Sequence, residues 1–276
     1  MNRSTLTTVG RPIDLSYPTN RAIALLALLV VVGGALLQRL SGTPWLRTVL
    51  WGAQTGLSVF LAWVLCRELD PDHDLSAFVA ADLAVGGLLL WELPHLTVLL
   101  WLILIMRIIN RTMGLPAGIL DSLAVLGLGI WLSLQGNWAY GIVTAVAFLL
   151  DSQLPIRAPH QLVFAILGVV GTTTAAVLGG DQSRDGGLSL WSALIALAVS
   201  IFFVPVVLES RGLTSVGDQT GKPLEPVRVQ AAQILALFVG LETAFLGGFA
   251  ALGSLMPLWA AVLGASLYWL YRTLKP

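Results

Sequence analysis

The sequence predicts an all-α, polytopic membrane bundle of about ten transmembrane helices with both termini in the cytoplasm. Three observations lead there. Only 11% of the 276 residues are charged, against about 25% in an ordinary soluble domain. Mean hydropathy is +0.85, so the solvent for most of this surface is lipid. Apolar runs then recur along the whole chain at lengths near the roughly 20 residues that a bilayer core requires.

Taken in order, the runs are 22–38, 46–66, 76–91, 96–110, 117–134, 138–151, 160–179, 188–208, 229–250 and 254–272. The first, "AIALLALLVVVGGALL", follows Arg3, Arg11 and Arg21 as a signal peptide would, and Gly33-Gly34-Ala35 imitates a cleavage site. Apolar residues continue past it and further segments follow, so it is read as an uncleaved span. The third and fourth runs are joined only by Glu92 to His95 and could instead form a re-entrant hairpin. Pro226 marks the approach to the ninth, since proline suits the first turn of a helix. No hydrophilic stretch is long enough for a separate soluble domain, so residues 1–276 read as one transmembrane domain.

Charge tests this count independently, because cytoplasmic loops carry excess Lys and Arg. With the N-terminus inside, the inner segments hold twelve basic residues and the outer loops three, Arg39, Arg47 and Arg184. Tryptophan follows a second pattern. Trp45, Trp91, Trp131, Trp138, Trp191 and Trp259 fall near predicted outer ends, and Trp63 and Trp269 near inner ones. The chain is therefore expected in the cell (plasma) membrane with the bilayer as its first partner. Its net charge of zero gives no footprint for nucleic acid.

All the long polar runs fall on the predicted cytoplasmic face. "CRELDPDHDLSAF" crowds Glu68, Asp70, Asp72, His73 and Asp74 between the second and third segments. The alternating Asp70, Asp72 and Asp74 offer hard oxygen ligands for Mg²⁺, although the spacing fails the EF-hand rule. The same carboxylates could simply serve the start of the third helix, with Asp74 or Ser76 as its cap. The next inner loop carries Arg107 and Arg111, four apart and so on one face if the helix continues, where they could hold a phosphate. Arg157 and His160 add donors. "GDQTGKP" has three residues between its glycines and proline after lysine, which excludes a phosphate loop.

Acidic loops after the second and sixth segments, "RELDPDHD" and "LLDSQLP", resemble in placement the UbiA-type prenyltransferases, all-helical membrane enzymes. The resemblance implies Mg²⁺ and a prenyl diphosphate bound at the cytoplasmic face. The sequence departs from the family's first motif, Asn-Asp-x-x-Asp-x-x-x-Asp, and its second loop offers Asp151 alone.

Within the bilayer, Glu242 lies 13 residues from Val229, roughly 20 Å above the inner face. Ionisable residues at such depth mark function. Thr173 and Gln54 are expected at similar depth, with Asp82 and Asp121 nearer the cytoplasm. Three functional classes follow. One is an enzyme acting on a lipid or prenyl phosphate with Mg²⁺ on Asp70, Asp72 and Asp74. The second is a secondary transporter built around Glu242. The third is a structural subunit of a membrane complex.

Overall fold

In a computed structural model, residues 7–10, 13–135, 137–178 and 188–275 are described. Arg3, Arg11 and Arg184, three of the charges in the topology tally, lie outside them. The described residues form ten α-helices and no strand: α1 (Pro18–Leu40), α2 (Trp45–Leu69), α3 (Asp74–Gly87), α4 (Leu96–Asn110), α5 (Ile119–Leu134), α6 (Ala139–Gln153), α7 (Gln161–Leu178), α8 (Leu190–Glu209), α9 (Pro226–Ser254) and α10 (Met256–Leu274). Each predicted apolar run coincides with one helix to within a few residues, and α9 does begin at Pro226. Five helices, α1, α2, α7, α8 (as Leu190–Gly212) and α9, are long and apolar enough to cross a membrane. The chain is thus a helical protein with the makings of a membrane protein.

Two compact units divide the fold. Unit 1 comprises Met1–Arg11, Trp101–Gly187 and Glu209–Val239; unit 2 comprises Pro12–Leu100, Leu188–Leu208 and Gly240–Pro276.

Unit 2 is held by small residues that let helices approach closely, the usual device where lipid offers no hydrophobic drive between helices. A Cβ on Gly52 of α2 would lie 2.6 Å from the Val31 carbonyl oxygen of α1. One on Gly264 of α10 would lie 2.6 Å from the Ala80 nitrogen of α3. Ile23, Val59, Ala62, Ala81, Ala84, Met256 and Ala260 close the core between these helices. Trp259, in the first turn of α10, is buried, and a Cβ on Gly240 would lie 2.8 Å from its ring.

Helix α9 is broken at Gly248, whose φ of 66° and ψ of −153° are non-helical. Such a residue turns the following amides away from the carbonyls one turn back. Those carbonyls find donors at the start of α8: the Ser192 hydroxyl donates to the Ala244 oxygen at 2.7 Å, and the amide of Ser189, just before the helix, to the Phe245 oxygen at 3.2 Å. Irregular backbone at membrane depth is tolerated where neighbouring protein satisfies it in this way.

Unit 1 packs α5, α6 and α7 around Phe148 and Phe164, whose rings lie 5.5 Å apart. Trp101 is fully buried, meets Tyr140 edge-on and donates from Nε1 to Thr144 Oγ1 at 2.9 Å. The stretch that imitates a phosphate loop is a tight hairpin. Its amides are used internally, Gly217 to the Lys222 oxygen at 2.8 Å and Gly221 to the Gly217 oxygen at 2.8 Å.

Candidate functional site

The acidic turn between α2 and α3 resolves into pairs. Asp70 Oδ1 lies 2.7 Å from His73 Nδ1, Asp74 is ion-paired with Arg67, and Asp72 also interacts with another group of the protein. The His73 ring lies 5.7 Å from that of Tyr268 of α10, the two planes tilted by 52°. Neither expected cap forms. His73 occupies the N-cap position without a side-chain cap bond, and Asp74 sits in the first turn, where it complements the helix dipole. Among the described residues, no group of three or more His, Cys, Asp or Glu side chains is placed to hold one metal ion.

In unit 1 the polar residues converge more tightly. α6 ends at Gln153 and Pro155 prevents its continuation, which leaves carbonyls at its C-terminus without helical partners. α4 ends at Asn110 in the same condition. Arg228, in the first turn of α9, serves both ends. Its Nε donates to the Pro155 oxygen at 2.7 Å, and its Nη1 donates to the Ile109 oxygen at 2.8 Å and to Asp151 Oδ1 at 2.7 Å. Nη2 reaches the Ile156 oxygen at 3.3 Å. A cation among the last carbonyls of two helices also meets the negative ends of their dipoles.

Arg111 completes the cluster from just beyond α4. Its Nε donates to the same Asp151 Oδ1 at 2.9 Å, and its Nη1 to the Ile156 oxygen at 2.6 Å. Nη2 approaches that Oδ1 at 2.8 Å but out of hydrogen-bond alignment. Asp151 Oδ2 accepts no hydrogen bond among the described residues. All three side chains are buried, Asp151 completely. Burial pulls the Arg111 guanidinium below its ordinary value; Asp151 opposes this and Arg228 adds to it.

Backbone strain coincides with the same cluster. Arg111 and Ile156 are the two non-glycine residues with positive φ among those described, at 52° and 58°. For a β-branched residue such as Ile156 this is a genuine outlier, and such outliers gather at functional or over-determined sites.

Asp121 anchors the N-terminal segment. Its carboxylate accepts from the Thr7 hydroxyl at 2.5 Å, the Thr8 amide at 2.6 Å and the Thr8 hydroxyl at 2.7 Å. Arg107 holds the same segment through the Val9 oxygen at 3.1 Å. The structure therefore gives Arg107 and Arg111, predicted to share a phosphate, separate partners inside unit 1. Asp70, Asp72 and Asp74 lie in unit 2.

Of the residues expected at membrane depth, Gln54 and Thr173 are exposed, and Thr173 donates to the Val169 oxygen of its own helix at 2.9 Å. Neither belongs to a buried polar layer. Glu242 is half-buried beside Thr243, with 3.4 Å between Oε2 and Oγ1. It lies sixteen residues beyond the start of α9, about 24 Å along the axis, farther than its position in the apolar run implied. Asp82 is exposed on α3, eight residues beyond Asp74, about 12 Å along. Of all described Asp, Glu, Lys, Arg and His side chains, only Asp82 and Glu242 lie more than one turn inside a helix.

Sequence reasoning missed Arg228 as a site residue. It entered only as one more inner charge. The available signal was Asp151, a lone acid in an apolar run with no partner nearby in sequence. No protein family matches the chain, and neither does any curated protein or solved structure.

Proposed function

We propose that this is a multi-pass protein of the cell membrane, with ten membrane-inserted helices and both termini cytoplasmic, that works as a secondary transporter handling protons or another cation. The observation that carries the reading is the pair Asp82 and Glu242. Every other charged side chain in the described helices sits within a turn of an end, where water or a loop can serve it. These two sit deeper, both are acids, and both belong to unit 2. An acid at a helix centre costs roughly 2.5–3.5 kcal/mol on insertion scales, and intramembrane carboxylates are retained where they bind protons or ions. The break in α9 six residues beyond Glu242 adds support, since interrupted helices accompany transport sites.

Helices α3 to α6 have only 14 to 16 residues, about 21–24 Å against a core of about 30 Å. The ten-span topology therefore rests on loops and flanking residues sharing the crossing. Cysteine placed at Ser41 should react with an impermeant reagent from outside intact cells, and cysteine at Lys222 should not. Equal labelling at the two positions would reject the topology.

A second reading, an enzyme acting on a lipid or prenyl phosphate at the cytoplasmic face with Mg²⁺ on Asp70, Asp72 and Asp74, draws support from the long polar runs of the sequence, which the charge pattern assigns to that face. It requires those carboxylates, and Arg107 and Arg111, to leave the internal partners they now hold.

Infrared difference spectra of the reconstituted protein, recorded across about pH 5 to 9, test the transport reading. Wild type should show a titrating carboxyl band that Glu242→Gln removes. If that substitution alters no titrating band, Glu242 does not exchange protons and proton coupling through it is excluded.

A further inference from the structure

Two loops and three helix ends meet around Asp151, and a third loop is bonded to the first of them. The α4–α5 connection supplies Arg111, the α6–α7 connection supplies the Pro155 and Ile156 carbonyls, and α9 supplies Arg228. The α8–α9 connection is stitched to the first of these by backbone: the Asp218 amide donates to the Thr112 oxygen and the Gln219 amide to the Met113 oxygen, each at 3.1 Å. One carboxylate oxygen, Asp151 Oδ1, thus receives both guanidinium groups, while the opposite oxygen receives none.

We propose that this cluster is a conformational latch, closed in the present structure, and that segments 111–118, 154–160 and 217–224 open together when it releases. Three features argue for a device with two states over a passive tie. Both guanidinium groups converge on a single carboxylate oxygen, so losing it weakens the hold on both arginines at once. The two left-handed residues, Arg111 and Ile156, both border the cluster and relax when it opens, so the closed form works against its own backbone. Ile156 is 65% exposed, so no packing of its side chain explains why a β-branched residue is kept at φ 58°. Arg228 also ties the latch to α9, the helix that carries Glu242 farther along.

Hydrogen–deuterium exchange on the full-length protein in lipid nanodiscs provides the test. Asp151→Asn keeps the shape but weakens the hold on both arginines. It should accelerate exchange in all three segments by a common factor of at least about ten, leaving the α2–α3 turn unchanged. Ile156→Gly removes the strain and keeps the carbonyl that Arg111 uses, so it should slow exchange in the same three segments. This second variant also guards against Asp151→Asn failing to fold. Faster exchange confined to residues near 151–157, unequal factors among the three segments, or acceleration by Ile156→Gly would each overturn the latch.

Discussion

The α2–α3 turn of unit 2 and the Asp151 cluster of unit 1 both gather charge at helix ends, yet they differ in kind. In the turn, Arg67 and Asp74 pair with 17% and 55% of their side chains exposed, and water screens what they do for each other. In the cluster, Asp151 and Arg228 are 0% and 1% exposed, and nothing screens them. The turn is richer in acid, with Glu68, Asp70, Asp72 and Asp74 against a single carboxylate. The lesson is that density of charge along the chain is a poor guide to structural weight. A residue's importance here follows the number of helix ends that depend on it.

Mutation should separate the two regions sharply. Arg228→Ala removes the donors that serve the ends of α4 and α6 and leaves Asp151 with one guanidinium in a dry site. Breaking a buried pair by deleting one member costs about 3–5 kcal/mol, so the variant should purify with a strongly lowered thermal unfolding midpoint or fail to accumulate folded protein. A midpoint within a degree or two of wild type would mean that the cluster is not the stronger of the two. Asp74→Asn removes the exposed partner of Arg67 and should cost about 0–1 kcal/mol, a shift close to the noise of the same measurement. A large loss there would show that the turn holds something beyond its own salt bridge.

Much of this architecture is legible in the sequence because apolar run length maps directly onto helices. All ten runs appear as helices, and Pro226 starts α9 as its fixed backbone angle suggests. What was hidden depends on residues far apart in the chain. Nothing near Arg228 announces that it meets Asp151, 77 positions away, or that Thr7 and Thr8 close on Asp121 across more than a hundred. Direction around the helix was hidden as well. Gln54 and Thr173 have plausible depth but lie on exposed faces, and Trp259 turns inward against Gly240. Glu242 could be read from sequence because an acid in an apolar run stands out without any knowledge of its neighbours.

The serines that satisfy the interruption at Gly248 carry a consequence for how the chain is made. A ribosome delivers α8 before α9, so Ser189 and Ser192 are already made when the carbonyls of Ala244 and Phe245 arrive. Reversing that order, for instance by expressing residues 213–276 ahead of residues 1–212 as separate fragments, would leave two peptide oxygens without these donors until the serines came. The early fragment should then accumulate less than the same fragment made after residues 1–212.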